Sequence, residues 1–270
     1  MKFRSCPSKT LLPLLSIGAL LALPSASAAV IYQHDFGGSS ENSLNTVALG
    51  TANSTLGGSA GATWLATSGR YLADGTITAG GAASAYVPFS PVSGYQYTIT
   101  LSVDITSASS TNWIVLSLLN GTPNTAASFN TVNSLDAVST THATIGRRYS
   151  TVSGSNGTDL LRWQGPGTGG TTTHLNEPQT GVWDISILLN TTDPANWTYQ
   201  WLMEAGTDVE HLSASYDLGT NSISHIMVSN NANVSGTLSG FSVAAIPEPG
   251  LTLLSSLGTG LLTLRRTRRG

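Results

Sequence analysis

Between Lys9 and the C-terminus the 270-residue sequence contains no lysine, and charged residues of both signs make up only 9% of it. Of its 11 basic residues, Lys2, Arg4 and Lys9 open the chain and Arg265, Arg266, Arg268 and Arg269 close it. Arg70, Arg147, Arg148 and Arg162 are the only cations left for the body from Ala29 to Ile246. That body carries 13 of the 14 acids, a formal charge of −9. Four scattered arginines in an acidic body form no basic track along a phosphate backbone, which excludes nucleic acid as a partner.

Cysteine is nearly absent as well: Cys6 is the only one, and it precedes the first apolar run. The body therefore has no disulfide, no zinc thiolate and no thiol nucleophile. Its five histidines (His34, His142, His174, His211 and His225) show neither His-x-His nor His-Glu-x-x-His spacing, so zinc is not expected. Calcium needs only hard oxygen ligands, and Asp35 and Asp217 are the weak candidates for a site clamping the ends of strands. No other cofactor is indicated.

Catalytic patterns are missing too. Glycoside hydrolysis needs two carboxylates facing one groove. The nearest cluster, Glu204, Asp208 and Glu210, is interrupted by Ala205-Gly206-Thr207, which reads as a hairpin turn. Gly57-Gly58-Ser59-Ala60-Gly61 matches Gly-x-Ser-x-Gly only in letters, since no buried strand precedes it and no helix follows. Gly165-Pro166-Gly167-Thr168-Gly169-Gly170 lacks the following helix that a dinucleotide site requires.

What is present includes an address at each end. The basic stretch to Thr10 is followed by an apolar run, Leu11 to Leu23, and then by small residues. Ala26-Ser27-Ala28 fits the small-x-small pattern of a signal peptide over residues 1–28, cut before Ala29 by signal peptidase. An uncleaved anchor is the alternative, but the run is short for a span. At the other end, residues 246–270 contain Pro247-Glu248-Pro249, the uncharged Leu-rich tract Leu251 to Leu264, and then the Arg265, Arg266, Arg268, Arg269 cluster. The arginines should stay cytoplasmic while the leader sends the body out. As a helix the tract spans about 21 Å at 1.5 Å per residue, against a hydrocarbon core of about 30 Å, which favours a transient anchor over a permanent transmembrane helix.

This order resembles the PEP-CTERM sorting signal. The resemblance implies an exosortase-type transpeptidase that cuts near the Pro-Glu-Pro, and a Gram-negative outer envelope or extracellular matrix as destination. It also implies transient inner-membrane insertion and, often, an exopolysaccharide or biofilm setting.

The body between, residues 29–245, reads as strands. In Tyr95 to Ile105 the residues Tyr95, Tyr97, Ile99, Leu101, Val103 and Ile105 alternate with Gln96, Thr98, Thr100, Ser102 and Asp104, a period of two with one buried face. Shorter runs of the same kind, among them Trp113–Leu119, Val182–Leu189, Trp197–Glu204 and Leu238–Val243, are separated by Gly, Pro, Asn and Ser clusters. An all-β, antiparallel β-sandwich of the jelly-roll kind is expected, in one domain. The opening strand ending in Asp35-Phe36, the long alternating strand and the tryptophan-bearing strands after it resemble the concanavalin A-like and LamG-like jelly rolls. These folds host lectins, glycan-binding modules, glycoside hydrolases and passive surface proteins, so function must come from a site.

The six tryptophans are the natural sugar contacts. Trp197, Tyr199 and Trp201 share one face of a strand whose other face carries Thr198 and Gln200, so the aromatic face is expected in the core. Trp163, beside Arg162 and before the Gly-rich segment, is the better candidate for glycan contact. The reading is an exported, non-catalytic sandwich sorted to the cell envelope or exopolysaccharide matrix, structural or adhesive, with weak carbohydrate binding. The alternative is a secreted glycan-active hydrolase or lyase on the same fold.

Overall fold

The computed structural model describes residues 27–67, 69–78, 80, 82–106, 113–120, 141–149, 158–163, 171–175, 181–205, 208–212, 223–230 and 234–247. Their strands, in chain order, are β1 (Ala29–His34), β2 (Thr51–Ala52), β3 (Leu65–Ala66), β4 (Thr76–Ile77), β5 (Ala83–Pro88), β6 (Tyr95–Ile105), β7 (Trp113–Leu119) and β8 (Thr141–Tyr149). They continue with β9 (Thr158–Trp163), β10 (Thr171–Leu175), β11 (Trp183–Asn190), β12 (Thr198–Ala205), β13 (Asp208–Leu212), β14 (His225–Asn230) and β15 (Gly236–Pro247). One short 3₁₀ turn, Ser54–Leu56, is the only helical piece among the described residues.

Alternation dictates the first sheet. In β6 the residues Tyr97, Ile99, Leu101, Val103 and Ile105 are buried while the intervening Gln, Thr, Ser and Asp reach solvent. β6 pairs antiparallel with β11 on one side and β15 on the other, and the order is β13-β12-β11-β6-β15-β1-β2, with β4 also on β15. The second sheet runs β10-β9-β8-β7-β14-β5-β3, also antiparallel. The two stack face to face on one apolar layer that includes Ile99, Leu101, Ile185, Ile187, Leu116, Leu118, Ile226 and Val228. The chain is thus the antiparallel jelly-roll sandwich that the sequence pattern predicts.

The second sheet is not amphipathic. Every residue of β7 is buried, and Tyr86, Trp113, Val115, Leu119, Leu161 and Met227 form a separate buried cluster on the sheet's outer side. A strand covered on both faces shows a continuous apolar run, which is what Trp-Ile-Val-Leu-Ser-Leu-Leu is.

Strand β8 departs from expectation, because Thr-His-Ala-Thr-Ile-Gly-Arg-Arg-Tyr does not read as buried. Its centre is nonetheless enclosed. A Cβ on Gly146 would stand 2.3 Å from Val115 Cγ1 and 2.9 Å from the Ile114 carbonyl, so only glycine lets β8 approach β7 there. Arg147 is 1% exposed and crosses to the first sheet, where Nη1 donates to the carbonyls of Val103 (3.1 Å) and Gly181 (2.8 Å). Arg148 turns the other way and donates to the buried Asp159 at 3.0 Å, which also meets His174 Nδ1 at 2.9 Å.

Both ends of the described chain lie together. Ala29 pairs with Ala245 across β1 and β15, and Pro247 pairs with Tyr95. The final strand therefore runs two residues past the expected boundary at 245, into the first residue of the Pro-Glu-Pro.

Candidate functional site

Register assembles the outer face of the first sheet into rows of side chains. One row runs Thr198, Asn190, Gln96, Ile246. The next runs Gln200, Leu188, Thr98, Ala244, and the third runs Leu202, Ser186, Thr100, Ser242, Gln33, Thr51. The fourth runs Glu204, Asp184, Ser102, Gly240. Six strands at about 4.8 Å spacing make the third row about 24 Å across. Amides and hydroxyls dominate, and no described residue in these rows is a cation.

Neighbours in the rows fix one another. Thr100 Oγ1 and Ser186 Oγ lie 2.8 Å apart, and the Ser102 hydroxyl donates to Asp184 Oδ1. Asn190 Oδ1 instead caps the following turn, accepting from the Thr192 N–H at 2.9 Å and its hydroxyl at 2.7 Å. The first two rows enclose a groove of about 270 Å³ between Gln96, Thr98, Asn190, Thr198 and Gln200, with Leu188 and Ile246 among its apolar contacts.

A second concavity, of about 510 Å³, lies at the opposite end of β1, lined by Gln33, His34, Asp35, Gly37, Gly38, Ala48, Gly50 and Thr51. Next to it Phe36 has a left-handed φ of 51°. Burial pushes the His34 imidazole below its usual range, against the opposing pull of the Asp35 charge. The His34 Nδ1 accepts from the Phe36 N–H at 3.3 Å, which puts the neutral ring's proton on Nε2.

The residues singled out from sequence fall in several places. Asp35 is exposed and lines this cleft, while Asp217 lies outside the described residues. Among the described residues no three of His, Cys, Asp and Glu converge as metal ligands would. Trp163 stands opposite Thr144 and Arg162 opposite Ile145 in the β8–β9 register; their side chains lie outside the description. Trp64, Trp113, Trp183 and Trp201 are buried, and Tyr199 and Trp201 meet edge to face at 5.0 Å, as expected of a core-facing pair. Ala28 is exposed and Ala29 begins β1. Ala26, Glu248, Pro249 and the Arg265, Arg266, Arg268 and Arg269 cluster lie outside the described residues, as do the leader's apolar run and the tail tract. Among the described residues no helix is long and apolar enough to cross a membrane.

The three acids near the β12–β13 hairpin do not form one set in the register. Glu204 stands opposite Val209, whereas Asp208 and Glu210 stand opposite Ala205 and Met203. Sequence reasoning missed the acid that does neighbour Glu204. Asp184 is its direct cross-strand partner, 20 positions away, and no local spacing announces it.

These surfaces define a β-sandwich with one broad polar sheet face, which carries Asp184 and Glu204 among its amides and hydroxyls, and a cleft at its edge that carries Asp35. No family model matches the chain, and no curated protein matches it in sequence. Among solved structures it is similar to the Emp46p carbohydrate recognition domain in its metal-free form, at 11% identity and TM-score 0.44, over 67% of this chain and 87% of that one. It is similar to lectin II from Ulex europaeus at 10% identity and TM-score 0.41, over 64% and 86%. A legume lectin-like domain from Entamoeba histolytica gives 7% identity and TM-score 0.41, over 67% and 88%.

Proposed function

We propose that this chain is an exported, non-catalytic β-sandwich that holds neutral glycan against the outer face of its first sheet. Its tail sorts it to the envelope or exopolysaccharide matrix of a Gram-negative cell. The observation that carries the glycan reading is the set of rows through Gln96, Thr98, Thr100, Ser242 and Gln200. A face of hydroxyls and amides, with carboxylates at Asp184 and Glu204, no cation among its described residues and most tryptophans in the core, offers hydrogen bonds to sugar hydroxyls without attracting phosphate or sulfate. Weak, multivalent contact along a polymer suits a matrix protein.

The sorting part rests on the sequence order of Pro247-Glu248-Pro249, the apolar tract and the terminal arginines, with signal peptidase and an exosortase-type enzyme as processing partners. The pairing of Ala29 with Ala245 supports it, since both cuts then fall at one end of the sandwich. Intact masses of the protein from cells and from medium test this directly. A product beginning at Ala29 and ending shortly after Pro247 is expected. Full-length chain in the cytosol is the outcome that defeats it.

One observation favours the alternative, a glycan-active hydrolase. Asp184 and Glu204 are cross-strand partners, so two carboxylates share one face of the sheet, the arrangement that acid–base chemistry on a glycosidic bond requires. Incubation with a panel of neutral polysaccharides decides between the readings. Retention without new reducing ends is expected; reducing ends that vanish in Glu204→Gln would establish the enzyme instead.

A further inference from the structure

Five large apolar side chains are exposed among the described residues, and three of them gather at one end of the first sheet. Val30, Val92 and Ile246 are 43%, 41% and 39% exposed. Val30 stands opposite Ala244, and Ile246 lies two residues further along the same strand, so both side chains share the outer face. Val92 lies on the turn leading into β6, whose first residue, Tyr95, pairs with Pro247. Tyr95 and Trp197 complete this end, each packed on the core with part of its surface in solvent. Tyrosine and tryptophan, with an apolar body and a polar tip, are the side chains that settle at a membrane–water boundary.

The backbone of the Val92 turn is already satisfied. The Val92 N–H donates to the Tyr97 hydroxyl at 2.8 Å, and the Val92 carbonyl accepts from the Thr191 hydroxyl at 2.7 Å. The Gly94 N–H donates to the Thr191 carbonyl at 2.8 Å, and the Thr191 N–H to the Tyr95 carbonyl at 2.9 Å. Val92 therefore presents its isopropyl group outward, and covering it strands none of its own backbone polar groups. Across residues 28–30, 91–97, 190–198 and 244–247, Asp193 is the only charged residue. The contact this end offers is apolar, with no cation to draw an anionic partner.

Chain length names the occupant. Leu251, where the uncharged tract begins, is four residues beyond Pro247, the last residue of β15. Four residues reach about 14 Å when fully extended, and the headgroup layer on each side of the hydrocarbon is about 5–8 Å thick. With the tract in a bilayer, Pro247 cannot rise more than about 6–9 Å clear of that layer. Ala29 pairs with Ala245, so the leader departs from the same end until it is cut. The exposed valines and isoleucine thus lie where the chain's own connections bring lipid to them.

We propose that this end of the sandwich, through Val30, Val92, Ile246, Tyr95 and Trp197, seats on the surface of a lipid bilayer while the tail is inserted. This rests on the sorting reading of the tail and adds an orientation to it. Strands β6 and β15 then stand upright on the membrane, and the side-chain rows of the outer face lie parallel to it. The cleft that carries Asp35, at the other end of β1, faces away from the membrane.

The test uses the full-length protein with Cys6→Ser, reconstituted in phosphatidylcholine vesicles and carrying one nitroxide, on Val92→Cys, Ile246→Cys or Val182→Cys. Val182 is 51% exposed and precedes Trp183, which pairs with Val103, so it marks the far end of β6, about 27 Å from Tyr95 at 3.4 Å per residue. Access of a water-soluble nickel chelate is expected to be at least three-fold lower at positions 92 and 246 than at 182, at low and at high salt. Adding Val30→Asp/Val92→Asp to the Ile246→Cys protein should restore access at least two-fold, with an unchanged melting temperature. Equal access at the three sites, protection lost at high salt, or full protection in the folded aspartate variant overturns the seating. Flotation with the vesicles tests the tail separately. Wild type that floats while Leu254→Arg/Leu261→Arg does not, with equal access at the three sites, leaves the tail reading standing and removes the seating alone. No flotation of wild type removes both, and flotation that survives the arginine variant removes the tail as tether and the seating argued from its reach.

Discussion

The Tyr32 hydroxyl on β1 donates to the Pro88 carbonyl on β5 at 2.5 Å and so ties one sheet to the other. The same oxygen accepts from the Ser59 N–H at 2.6 Å, which fastens the loop after the 3₁₀ turn to that junction. Burial pushes this phenol above its usual range, with the Ser59 hydrogen bond opposing the shift. Tyr32→Phe leaves a part-buried carbonyl and N–H without their partner, which costs about 1–3 kcal/mol. At roughly 2–4 °C per kcal/mol for a domain of this size, the melting temperature should fall by about 2–12 °C. Thermal unfolding followed by circular dichroism measures it, and an unchanged midpoint refutes the role.

Arg147 makes the second tie between the sheets. Its guanidinium lies 5.5 Å from the Trp183 ring centroid and 3.9 Å from Asp104 Oδ1, besides the carbonyls of Val103 and Gly181. A buried cation is costly to keep, but removing it alone strands its acceptors. Arg147→Ala is expected to lose about 3–5 kcal/mol in urea unfolding, while Arg147→Met, which keeps the aliphatic stem, should lose clearly less. Equal losses in the two variants would show that the aliphatic stem contributes nothing and that the lost guanidinium contacts account for the whole cost.

How much of this was readable beforehand depended on where each pattern resides. β6 and β7 have the expected bounds, Tyr95–Ile105 and Trp113–Leu119, because an eleven-residue alternation and a seven-residue apolar run are properties of the strand itself. β8 was not legible, because its Gly146-Arg147-Arg148 looks solvated until the partners that enclose it are known. β10 sits in what reads as the end of a Gly/Thr loop, since Thr-Thr-Thr-His-Leu is short and polar. The wet face of the first sheet was visible one strand at a time, as Gln96, Thr98 and Thr100, but its rows depend on register. The cleft was less visible still: Asp35 could be singled out as an acid near a strand end, whereas Thr51 reaches the same cleft only through the β1–β2 pairing.

His34 gives the fold a defined sensitivity to acid. Its folded-state pKa lies below the 6.5 of a free side chain because burial disfavours the imidazolium. The folded state therefore binds this proton less readily than the unfolded chain does. The associated stability is fully present above pH 6.5 and is lost as pH falls through the folded-state value. Chemical unfolding of wild type and His34→Gln between pH 8 and pH 4.5 should show a difference that shrinks or reverses on acidification. A difference independent of pH would mean that the ring does not titrate with folding.

Asp184 and Glu204 are a like-charge pair directly opposed across β11 and β12 on a face that nothing in the described fold covers with cations. Such pairs destabilise a sheet, and opposite charges at the same spacing contribute about 0.2–1 kcal/mol. Glu204→Lys should therefore raise stability by up to about 1 kcal/mol at low salt, and by less at 1 M salt, where the Debye length shrinks to about 3 Å. Glu204→Gln should recover about half of the gain, since it removes the repulsion without adding attraction. Urea midpoints at two ionic strengths check both. If the lysine variant is instead less stable than wild type, the two carboxylates are being held together by something that binds them, and the pair belongs to a working site.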